Sequence, residues 1–149
     1  MPLSPPPRDA RGVVVPHDHP DILPDHKIIR RVSPYHIAPD EKTPSGRRIS
    51  TAAYQPSNGG VGESMSVDLE ASILDAGADP RQYVSNPPFI GSVWFAAAFL
   101  RGESLMVGFD PLSENPHHGG VWGSFPRSRQ KRLLQAAEWY VQIAGVDLK

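Results

Sequence analysis

The sequence predicts one α+β domain: a mainly antiparallel sheet of about four to six strands, packed against a C-terminal helix and one or two short helices. Three observations predict it. Short apolar runs alternate with polar residues and are separated by turn signals, as in Ile49, Thr51 and Ala53 or Met65, Val67 and Leu69. A later stripe, Leu133, Leu134, Ala137, Tyr140, Val141 and Ala144, has helical spacing. The chain has 149 residues, enough for one core, with no repeat or domain-scale linker.

Residues 1 to 26 contain seven of the 17 prolines and predict a mostly irregular arm, in which only Val13-Val14-Val15 has the composition of an edge strand. The rest of the chain, 27–149, forms the domain. Its first strand is Lys27 to Ser33, limited by Pro34, and Tyr35 to Ala38 resume as extended chain before a polar turn. Arg47 to Leu69 are expected to form a central hairpin around Asn58-Gly59-Gly60 and Gly62.

Asp68, Leu69, Ile73, Leu74 and Gly77 outline a short helix, with Asp68 as its cap and Gly77 as its left-handed stop. Asp79-Pro80 starts a further helical turn, which Asn86-Pro87-Pro88 ends. Val93 to Leu100 is apolar all round. Its three alanines between Gly91-Ser92 and Gly102 favour helix over strand. Leu105 to Phe109 and His118 to Trp122 read as a second hairpin across Asp110-Pro111 and Asn115-Pro116. The last helix starts near Pro126 and runs to Gly145.

Composition narrows the function. The net charge is -1 and the pI near 6.6, so no global field holds nucleic acid or an anionic membrane. Zero cysteines exclude disulfides, thiol nucleophiles and thiolate metal sites. The longest apolar run has eight residues, against about 20 for a membrane-spanning helix. The N-terminus lacks an apolar export segment, and a cytoplasmic location is expected. No Walker loop, G-x-S-x-G, H-E-x-x-H or Rossmann fingerprint occurs, and no cofactor is expected.

Three groups of residues carry candidate chemistry. Arg127, Arg129, Lys131 and Arg132 crowd the start of the last helix, where the macrodipole disfavours cations, and no nearby acid is expected to offset them. With Arg48 and Arg30-Arg31 they are candidate anion ligands. His117 and His118 would point to opposite faces of a strand, and Asp110 or Glu114 could orient one of them as a general base. His17-Asp18-His19 has a ligand-like spacing, but its polar, proline-rich setting predicts a solvated tail and no metal. Trp122, beside two glycines, is the candidate partner anchor, whereas Trp94 and Trp139 are assigned to the core.

Arg31 on a first strand, Ser50-Thr51 on a second and Glu63 or Glu70 later follow an order that resembles the ADP-ribosyltransferases. The resemblance implies an Arg and a Ser framing an NAD site and a Glu supporting transfer. This chain departs from the pattern, with Ser50-Thr51-Ala52 as the triplet and no E-x-E or Q-x-E. Arg30-Arg31, Arg48 to Tyr54 and Ser66-Val67 also resemble small bacterial proteins to which no activity is attached.

The leading expectation is a small bacterial-type binding or accessory protein acting through protein-protein contact, its arm ordering on the partner. The first rival is an enzyme acting on a nucleotide or phosphate-bearing substrate, with Arg31, Ser50, His118 and Arg127 in one pocket. A nucleic-acid binder using the basic helix is the second.

Overall fold

A computed structural model describes residues 2–56 and 63–149 of the chain. The predicted glycine-rich loop around Asn58 to Gly62 lies outside the described residues. The fold is α+β. In chain order the elements are β1 (Lys27–Val32), β2 (Ile37–Pro39), β3 (Arg47–Ile49), β4 (Met65–Leu69), α1 (Glu70–Asp75), α2 (Pro80–Tyr83), β5 (Gly91–Ala96), α3 (Ala97–Gly102), β6 (Met106–Phe109), β7 (His118–Trp122), α4 (Arg127–Ala136) and β8 (Glu138–Val141). Six strands form an antiparallel sheet in the order β6-β7-β4-β1-β5-β8, and β2 and β3 form a separate pair.

Both faces of the large sheet are covered, because successive residues of each strand point to opposite sides. On one face Ile28, Val32, Val67, Phe95, Val107 and Leu133 join the larger core cluster. On the other, Ile29 packs with Ile73, Val84 and Tyr140 in a smaller one. Asp79 caps α2 through its side chain with Pro80 at the first position, and Gly77 follows α1 at a φ of 78°, as the local signals predict. Among the described residues no helix is long and apolar enough to cross a membrane.

Several expectations are corrected. The Arg47–Leu69 segment is not a hairpin: β3 pairs with β2, while β4 pairs with β1 and β7. Ser50 caps a 3₁₀ turn over Thr51–Ala53, and the fully buried Tyr54 then carries the chain away from β3. Asp68 is not a helix cap; Leu69 precedes α1 and the Asp68 side chain is engaged elsewhere. Val93 to Leu100 divides into the end of β5 and the start of α3, so the apolar run is both strand and helix.

The last helix stops at Ala136. Ala137 is extended, and Trp139 and Tyr140 continue in β8 along the open edge of β5, where aromatic side chains suit a pleated surface.

The arm is irregular but packed. His19 is only 1% exposed and Ile22 belongs to the core, so the solvated-tail expectation fails there. Val14 makes an isolated bridge to Arg8 instead of an edge strand. The His19 N–H donates to Val107 O, Asp18 Oδ1 accepts from Val107 N, and His17 Nε2 accepts from Phe109 N. Main-chain and side-chain atoms of the arm thereby satisfy the open edge of β6.

Candidate functional site

The sheet is divided near its middle. β1 and β4 pair at Ile28–Leu69 and Ile29–Asp68; beyond that, β1 follows β5 to Val32 and β4 follows β7 to Met65. The buried Arg30 side chain spans the divergence, its Nε donating to Ala53 O at 2.9 Å and its Nη1 to Ser66 O at 2.9 Å. Burial lowers its pKa to about 10, which leaves the guanidinium charged at neutral pH. A cleft of about 560 Å³ opens here, lined by residues of β1, β4 and β7 and by the segments carrying His36, Tyr83, Phe89 and Asn115.

Arg31 lies on the opposite face of β1 from Arg30. Its Nε and Nη2 meet the two Asp68 carboxylate oxygens at 2.7 and 3.0 Å, a side-on pair with 17% and 4% of the respective side chains exposed. Asn115 Nδ2 donates to Asp68 Oδ1 at 2.9 Å, and the Tyr83 hydroxyl donates to Asn115 Oδ1. Burial, then the Asp68 charge, raises the Tyr83 pKa and keeps the phenol protonated as a donor. The rings of Tyr83 and Phe89 lie 5.7 and 5.5 Å from the guanidinium carbon. Among the described residues, Arg31 Nη1 makes no hydrogen bond, so this braced cation keeps one donor edge for a ligand.

Two histidines line the same cleft. Asp68 and His118 are register partners on β4 and β7, so their side chains share a face. His118 Nδ1 is 2.8 Å from Asp110 O and 3.5 Å from Asp110 Oδ2; a carbonyl only accepts, so Nδ1 carries the proton and Nε2 is the basic nitrogen. No hydrogen bond reaches Nε2 among the described residues. His117 lies in the turn before β7, not on the strand as expected, and meets Ser72 Oγ at 2.7 Å.

His36 comes from the sequence Ser33-Pro34-Tyr35-His36. Ser33 precedes a 3₁₀ turn with Pro34 at its first position, and His36 Nδ1 accepts from the Ser33 N–H at 3.1 Å, the reach-back bond of a capping box. Burial, then the charge of Arg30, lowers the His36 pKa to about 4. It is therefore neutral at physiological pH.

The structure brings together only some of the predicted residues. Arg31 and His118 share the cleft. Ser50 does not line it; its hydroxyl accepts from Ala52 N, although its own N–H donates to His36 O and so helps place that turn. Arg127 is exposed at the start of α4. Arg129 and Arg132 both face Glu103, at 3.6 and 2.8 Å, which corrects the expectation that no acid offsets them. Arg48 is paired with Asp40 at 2.8 Å.

Glu70 accepts from Tyr140, and neither it nor Glu63 lines the cleft. Trp122 is 6% exposed and packs 5.3 Å from the His17 ring, so it is not an exposed anchor. His17 and His19 use their ring nitrogens within the arm and against β6.

Asp68, Tyr83, Asn115 and His36 were not among the sequence candidates. Of these, His36 alone had a local signal, its place three residues after Ser33 and two after Pro34. No family model, curated protein or solved structure matches the chain.

Proposed function

We propose that this protein is an enzyme acting on a small phosphate-bearing substrate, of which a nucleotide is the leading class. One observation carries it: the cleft holds an oriented imidazole whose Nε2 meets no partner among the described residues, together with an arginine whose Nη1 meets none among them, each braced by a carboxylate residue. Arg31 binds the anionic group, and its pairing with Asp68 fixes the guanidinium plane before the ligand arrives. His118 Nε2 takes a proton from the water or hydroxyl that attacks phosphorus, and the P–O bond to the leaving group breaks as the new one forms. The imidazolium, supported by the Asp110 carboxylate and carbonyl, returns the proton to the departing oxygen. The cleft volume falls within the range of small-molecule sites. The features proposed for partner docking, the arm and Trp122, are both used inside the fold.

The test is a thermal-shift and turnover screen with AMP, ATP, NAD and inorganic phosphate. Arg31→Lys is expected to abolish the ligand-induced shift, because an ammonium cannot make the side-on pair and still present a planar edge. His118→Asn is expected to retain binding and lower turnover by roughly 10²- to 10⁴-fold. Failure of every nucleotide to bind, or turnover unchanged in His118→Asn, would overturn the proposal.

A further inference from the structure

The two cleft histidines have opposite hydrogen-bonding sense. In His118 the Nδ1–H is committed to Asp110, leaving Nε2 as an acceptor. In His36 the nitrogen committed to the protein is itself the acceptor, because a backbone N–H can only donate; Nδ1 is unprotonated and the proton of the neutral ring must sit on Nε2. No hydrogen bond reaches that Nε2–H among the described residues. Protonating His36 would break the Ser33 bond and place a second charge beside Arg30, which fixes the ring as a neutral donor. The other ionisable groups lining the cleft are Arg31, Asp68, Tyr83, Glu114 and His118.

From this geometry we infer that His36 is a specificity residue, donating from Nε2–H to an unprotonated acceptor on the ligand, the ring-nitrogen or carbonyl edge of a nucleobase. The inference rests on the nucleotide reading of the cleft and narrows it. The ligand places its phosphate at Arg31, offers a lone pair to His36 and lies along the apolar surfaces of Phe89 and Leu112. A sugar phosphate without a base fills the anion end only. The site therefore discriminates by what the ligand offers to the neutral histidine, and a base edge that carries a proton there is rejected, since two donors would face each other.

The experiment compares AMP with ribose 5-phosphate on the full chain, with imidazole nitrogens followed by NMR. In the free protein His36 is expected as the Nε2–H tautomer and His118 as the Nδ1–H tautomer at pH 7. His36→Leu is expected to weaken AMP about tenfold, the value of one hydrogen bond to a neutral group at the upper end of its range. It leaves ribose 5-phosphate unchanged. His36→Gln, whose amide can donate from nearly the same place, restores AMP to within about threefold.

An Nδ1–H or protonated His36 at pH 7, or equal losses for the two ligands in His36→Leu, overturns the inference while leaving His118 and the proposed reaction standing. Binding of ribose 5-phosphate but not AMP also overturns it. Binding of neither overturns the nucleotide reading and this inference with it.

Discussion

The chemistry of single residues here depends on which atom of each group is already committed. His36 shows it most directly, because one backbone N–H decides its tautomer, and burial, then the neighbouring Arg30, discourages its charge. Its pKa is about 4 in the folded chain, below the 6.5 of an unperturbed histidine. Between those values the unfolded chain binds more protons, so this contribution to stability is complete above pH 6.5 and is lost as the pH falls towards 4. Urea unfolding followed across that window should show stability declining with acidification, and His36→Gln should flatten the decline. An unchanged slope in the variant would assign the dependence to other groups.

Asp68 is the second deciding residue. It accepts from both Arg31 and Asn115 with 4% of its side chain exposed. Asp68→Asn removes the charge opposite Arg31 and is expected to cost about 3 kcal/mol, at the lower end for breaking a buried pair because Arg31 retains some solvent. Denaturant midpoints at constant slope would measure it; a loss under about 0.5 kcal/mol would mean that the pair contributes only geometry.

At the scale of elements, the cleft exists because β1 and β4 share a short register and then follow different neighbours. A continuous ladder would have closed the space with backbone hydrogen bonds; the Arg30 guanidinium occupies part of it instead. The arm and β6 show the complementary case, an edge completed by irregular chain. Gly108 permits that close approach, since a Cβ there would lie 2.5 Å from Trp122 Cζ3 and 2.6 Å from His17 O. Gly108→Ala should destabilise the protein by about 1 to 3 kcal/mol, the usual range for overpacking. Hydrogen exchange at the Val107 and Phe109 amides should accelerate more than exchange in β1 and β5. Uniform acceleration would show that the arm does not open separately.

At the scale of the molecule, the two ends of the chain are tied to the same body. The arm meets β6, while Asp147 O accepts from Ile49 N and Val146 enters the larger core cluster. Deleting residues 1–21 removes the three hydrogen bonds made to the backbone of β6 by His17, Asp18 and His19. At roughly 1 kcal/mol each, the truncated chain should lose about 3 kcal/mol of unfolding free energy. A chain of full stability after truncation would mean that the arm is docked without contributing.

Charge at this scale is also settled by pairing. Glu103 faces two of the four basic residues of α4, so the helix offers a weaker field than its sequence suggests.

What the sequence by itself determined is the set of features whose causes lie within a few residues. The α+β class, the first strand, the β6–β7 pair, the stop at Gly77 and the start at Asp79-Pro80 all follow from period, capping and backbone restriction. Only the tertiary structure decided which strands meet. Arg31 and Asp68 are 37 residues apart, and Asp68 and Asn115 47, so nothing in either neighbourhood encodes the contact.

Loop-closure entropy changes too slowly with length to choose between pairing β4 with its predecessor or with β1 and β7. Burial chose instead. Tyr54 entered the core, β8 completed the edge of β5 at the expense of a longer helix, and the carboxylate that looked like a helix cap became the partner of Arg31.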